Sequence, residues 1–115
     1  MGSGNLALTN SRDLSLGNVT AGNANISIVG DGGVSQITDS TLNLSNGLAL
    51  STTNGSVFLE QNANIAGTIT ANVNGALFLR NSNADSTLGE VAANGSINVT
   101  GQGNLTTTAN VTTAD

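Results

Sequence analysis

Apolar residues in this chain come two apart. Leu6-Ala-Leu8, Leu14-Ser-Leu16, Ile26-Ser-Ile28, Leu42-Asn-Leu44, Leu48-Ala-Leu50, Val57-Phe-Leu59, Leu77-Phe-Leu79 and Ile97-Asn-Val99 each put two branched residues on one face of an extended segment, and Asn, Gly, Ser and Thr bound the triplets. Alternation at period two marks a short strand with one buried face. No window shows the sustained three- and four-residue spacing of an amphipathic helix, and the density of Asn and Gly penalises one heavily. The pattern predicts an all-β chain.

The triplets also repeat. Asn54-Gly-Ser-Val57-Phe-Leu59, Asn74-Gly-Ala-Leu77-Phe-Leu79 and Asn94-Gly-Ser-Ile97-Asn-Val99 begin 20 residues apart, each a turn dipeptide followed by an inward-outward-inward strand. Carried along the chain, this gives three columns in fixed order. The first holds Leu6/Leu8, Ile26/Ile28, Leu48/Leu50, Ile69 and Leu88/Val91. The second holds Leu14/Leu16, Val34, Val57/Leu59, Leu77/Leu79 and Ile97/Val99. The third holds Val19, Leu42/Leu44, Ile65, Ala84 and Leu105.

A coil of roughly 20 residues cannot bury its inner face alone, and stacking coils about 4.8 Å apart turns each column into a parallel sheet. The expected fold is a right-handed parallel β-helix, or β-solenoid, of about five coils and three strand columns, the hand following the preference of parallel crossovers. An antiparallel sandwich also spaces short strands at 8 to 12 residues. It gives no reason for a turn-strand unit to recur at a fixed interval, and it would need larger residues between its sheets. Residues 1–4 read as an expression scar, and 5–115 as one solenoid segment excised from a longer repeat protein.

Composition narrows the function classes. Asn, Thr, Ser and Gly make up 60 of 115 residues, with two Phe, no Trp or Tyr, and no Pro, Cys, His or Lys. Disulfides, thiol or histidine nucleophiles and soft-ligand zinc sites are therefore excluded. Seven acids stand against Arg12 and Arg80, a net charge of -5, so nucleic acid is not an expected partner. The longest apolar run, Ala76 to Leu79, is far short of the roughly 20 residues of a membrane span, and no membrane insertion is expected.

The segments Asn94-Gly-Ser-Ile-Asn-Val-Thr100 and Leu16-Gly-Asn-Val-Thr-Ala-Gly-Asn23 resemble the degenerate repeats of the filamentous haemagglutinin family, the very large exoproteins of two-partner secretion in Gram-negative bacteria. The resemblance runs over residues 4–115. It implies a right-handed β-helical shaft, a secreted or bacterial outer-surface location, and a parent protein serving adhesion, biofilm or toxin delivery, with a host surface or glycan as partner. No secretion-domain motif or C-terminal toxin accompanies it.

Candidate chemistry is sparse. Asp13, Asp31, Asp39, Glu60, Asp85, Glu90 and Asp115 form no spaced pair repeated on one column, so neither a glycosidase-type carboxylate pair nor any other catalytic site is expected. Gly30-Asp31-Gly32-Gly33 is a single copy of a turn that binds calcium only in tandem. No cofactor or metal is expected. Eight Asn-x-Ser/Thr triplets, at Asn18, Asn25, Asn43, Asn54, Asn94, Asn98, Asn104 and Asn110, follow from period-two patterning in this composition. Two pairs carry more information. Phe58 and Phe78 are the outward middles of stacked triplets, a candidate lateral contact. Glu60 and Arg80 follow those triplets as a candidate register pair worth about 0 to 1 kcal/mol. The reading is a structural shaft without catalysis, self-associating through open ends into filaments or oligomers. The alternative is a carbohydrate- or surface-binding module using an outward β-face. An ice-binding face would need Thr-x-Thr at every coil, whereas Thr68-Ile69-Thr70 and Thr106-Thr-Thr108 are isolated.

Overall fold

The computed structural model of the chain describes residues 4–82 and 85–113. Residues 1–3 of the scar, the third-column position Ala84 and the acid Asp115 lie outside the described residues. Fifteen strands and no helix appear among those described, wound as a parallel β-solenoid. The first coil comprises β1 (Asn5–Asn10), β2 (Leu14–Leu16) and β3 (Val19–Ala21). The second comprises β4 (Asn23–Asp31), β5 (Val34–Gln36) and β6 (Thr41–Leu44). The third comprises β7 (Leu48–Asn54), β8 (Val57–Leu59) and β9 (Asn62–Ile65). The fourth holds β10 (Thr68–Val73) and β11 (Leu77–Arg80), the fifth β12 (Ser86–Ala93) and β13 (Ile97–Thr100), and β14 (Leu105–Thr107) with β15 (Val111–Thr113) lie beyond.

Three parallel sheets result. The first runs β1-β4-β7-β10-β12-β14 with β15 also on β12, the second β2-β5-β8-β11-β13, and the third β3-β6-β9. The register is the one expected of self-stacking columns: Leu14 on Val34, Val34 on Val57, Val57 on Leu77 and Leu77 on Ile97. Branched side chains of similar size stack on copies of themselves, and the middle coils bury them fully, as at Ile26, Leu42, Val57, Ile65, Ile69 and Leu77. Backbone hydrogen bonds run from coil to coil along the axis, Leu14 N–H to Gly33 O, Val34 N–H to Ser56 O, Val57 N–H to Ala76 O and Leu77 N–H to Ser96 O, at 2.9 to 3.0 Å. The block measures 30 × 27 × 23 Å.

The turns explain the Asn-Gly dipeptides. A Cβ on Gly55 would stand 1.9 Å from the Gly32 carbonyl of the preceding coil, a distance no side chain tolerates, so the close stacking of these turns requires glycine. The asparagines beside them form an axial ladder: Asn54 donates to Asp31 at 2.7 Å, Asn74 to the Thr53 carbonyl at 2.6 Å, and Asn94 to Asn74.

One residue of the expected columns is placed elsewhere. Leu105 belongs to the first sheet, opposite Ser86, and not to the third column. Residues 101–104 contain no apolar side chain to fill a third side, so the chain turns from β13 directly back to the first sheet. Leu105 is then 50% exposed. Coil length also varies, from 18 residues between Asn5 and Asn23 to 24 between Ala24 and Leu48.

The third sheet ends at β9, where a side chain replaces a strand. Asn81, 1% exposed, accepts the Ile65 N–H at 2.9 Å and donates to the Ile65 carbonyl at 3.1 Å and to the Ser86 hydroxyl at 3.0 Å. Ser82 adds its N–H and hydroxyl to the Ala63 carbonyl. The amide group satisfies both backbone groups that the next strand would have paired. Among the described residues no buried side-chain nitrogen or oxygen lacks a partner.

Candidate functional site: the outward face of the second sheet

Alternation along β8 and β11 turns Val57, Leu59, Leu77 and Leu79 inward, which forces Phe58 and Phe78 outward. The two are paired in register, their ring centroids 5.3 Å apart and their planes 8° from parallel. Offset stacking of this kind contributes about 0.5–1.5 kcal/mol beyond area burial. Phe58 is nevertheless 44% exposed, and Phe78 is half-buried.

The column that carries the rings continues to either side. Ser15 and Ser35 occupy it on the first two coils and Asn98 on the fifth. Small residues before the rings open a groove, lined by Asp13, Ser15, Gly33, Ser35, Gly55 and Phe58 among others. Ile37, two residues past Ser35, is 55% exposed and extends over the Gly17 position of the first coil. Glu60 and Arg80 follow the aligned Leu59 and Leu79 on neighbouring coils, both exposed; no ion pair joins them among the described residues.

Three of the acids hold turns in place. Asp13 accepts the Gly33 N–H at 2.9 Å, Asp31 accepts from Asn54, and Asp85 accepts the Asn104 N–H at 3.0 Å. Among the described residues no three acids converge on one point. Asn18, one of the eight triplet asparagines, accepts the Thr41 N–H of the next coil at 2.9 Å.

Two features were not singled out from the sequence. Thr68, Thr87 and Thr106 stand on one outward column of the first sheet over three successive coils. Thr70 falls at the register shift between Ile69 and Ala71, so no second Thr column accompanies them. The other is the pair of serine hollows beside the rings, which alignment of Val34 with Val57 would have revealed. Compared with family models, curated proteins and solved structures, the chain matches none.

Proposed function

We infer that the chain is a structural shaft segment of a large secreted bacterial surface adhesin or exoprotein of the filamentous haemagglutinin type, performing no catalysis and stacking end to end. One observation carries the reading. The inward columns of the first and second sheets run through all five coils, yet Leu6, Leu8, Leu14 and Val19 of the first coil and Ile97 and Val99 of the fifth are only half-buried against the core. The first coil, and the second sheet at the fifth, thus offer rims of branched side chains and backbone groups, a template for another coil. Head-to-tail contact is heterologous and need not close, so its product is a filament.

Sizing chromatography with negative-stain microscopy tests this over a concentration and salt series. The net charge of -5 per copy opposes stacking and is screened over about 10 Å at 0.1 M salt. Rods that lengthen with ionic strength are expected. A monomer unchanged at millimolar concentration in high salt would overturn end-to-end stacking. A second reading, a surface-binding module, is favoured by the three-rung Thr column of the first sheet. A glycan array and a glycosidase panel separate the two: binding or turnover by the isolated chain would displace the purely structural reading.

A further inference from the structure

The outward column of the second sheet reads Ser15, Ser35, Phe58, Phe78 over four successive coils, which is two hollows followed by two rings. Phe78 covers one face of the Phe58 ring. The other face is turned toward the coil of Ser35, across the groove. Coils repeat at about 4.8 Å, close to the stacking distance of aromatic rings, so the groove accepts one ring per coil and is two coils long.

The polar side chains around it each hold a partner within the fold. Asp13 Oδ1 holds the Gly33 N–H at 2.9 Å, the Ser15 and Ser35 hydroxyls lie 3.4 Å apart, and the Ser56 hydroxyl accepts the Ala76 N–H at 3.0 Å. A saccharide needs converging free donors and acceptors for its hydroxyls. A flat apolar ring does not.

The geometry points to a second copy of this chain as the occupant, its Phe58 and Phe78 seated in the hollows beside the first copy's rings. A two-fold axis along the strand direction, between the second and third coils, reverses the stacking direction and keeps the column in line. It sets the partner's Phe58 opposite Ser35 and the partner's Phe78 opposite Ser15, and the reverse. Four rings then form one continuous stack, and the isologous contact closes at two antiparallel copies. Ile37, 55% exposed, adds apolar surface at the rim.

Area sets the class of contact. Four coils of about 4.8 Å and a face about 15 Å wide bury roughly 600 Å² in total, half the approximately 1,200 Å² of a stable complex. A contact of this size falls among weak, reversible encounters. The same axis brings the two Glu60 carboxylates to adjacent levels of one rim, so Glu60→Gln strengthens pairing about twofold. End-to-end stacking uses other surfaces, so the two modes of association succeed or fail separately.

Sedimentation equilibrium of the wild-type chain, Phe58→Ala with Phe78→Ala, Ser35→Phe and Glu60→Gln provides the test, with far-UV circular dichroism to confirm the fold of each. The double alanine variant should keep its fold and lose pairing at least about tenfold, the equivalent of 1.4 kcal/mol. Ser35→Phe separates fit from stickiness: it fills the hollow and should abolish pairing, although it adds exposed aromatic surface. If a variant misfolds, concentration-dependent amide shifts of the wild-type chain, centred on Ser15, Ser35, Phe58 and Phe78, replace it. Pairing that survives the double variant, rises with Ser35→Phe, or shifts amides elsewhere would overturn the proposal, as would glycan binding at the groove without self-association.

Discussion

Leu77→Asp should unfold most of the chain at neutral pH. Leu77 is fully buried between Val57 and Ile97, and its strand is paired on both sides. A carboxylate there meets only branched hydrocarbon, and a buried charge without a partner costs several kcal/mol. Domains of this size have about 5–15 kcal/mol in total. The position compounds the loss, because coils stabilise one another only through nearest neighbours and the fourth coil links the fifth to the first three. Loss of the far-UV β signal near room temperature is the expected result; a melting curve like that of the wild type would place Leu77 outside the core.

The second large effect is expected at Asn81→Leu. The substitution keeps the branching and the number of side-chain heavy atoms and removes the hydrogen bonds to the Ile65 N–H, the Ile65 carbonyl and the Ser86 hydroxyl. A buried backbone group left unpaired costs about 1–3 kcal/mol, so the variant should lose roughly 2–5 kcal/mol. Urea denaturation measures the difference. A loss below about 0.5 kcal/mol, the range of ordinary surface changes, would mean that the third sheet does not depend on this side chain for its edge.

These two residues also mark where the sequence is legible. Leu77 is readable because its environment is written in the chain twice more, at Val57 and Ile97, each after an Asn-Gly turn and each followed by a second branched residue two positions on. Repetition of this kind fixes column, register and facing together. Asn81 has no such echo. It is one of 18 asparagines, and only the third dimension separates it from those that sit in turns. Leu105 misled for a related reason: an apolar residue at about the right interval fits the third column by order of appearance. The side of the coil it would need is absent there, because no neighbouring residue can fill it. Gly89 and Glu90 stand between the inward Leu88 and Val91 where the neighbouring strand has only Thr70, and this one extra residue disturbs the period-two pattern without shifting the column. The stacked rings were legible from their triplets; the hollows beside them were not, since serine in this composition attracts no notice.

The coil-to-coil direction of the backbone hydrogen bonds has a consequence measured in time. The amide protons of Leu14, Val34, Val57 and Leu77 in the second sheet are each held by a carbonyl of the next coil, so releasing one to solvent requires two coils to part locally. The Val34 and Val57 bonds join the second, third and fourth coils, whereas the Leu14 bond holds the first coil to the second and the Leu77 bond the fourth to the fifth. Exchange with deuterium should therefore grade along the axis as a sequence of openings, slowest at Val34 and Val57, whose bonds join the inner coils, and faster at Leu14 and Leu77, whose bonds reach the first or the fifth coil. The chain then carries a clock whose order is set by rank in the stack and not by how deeply a side chain is buried.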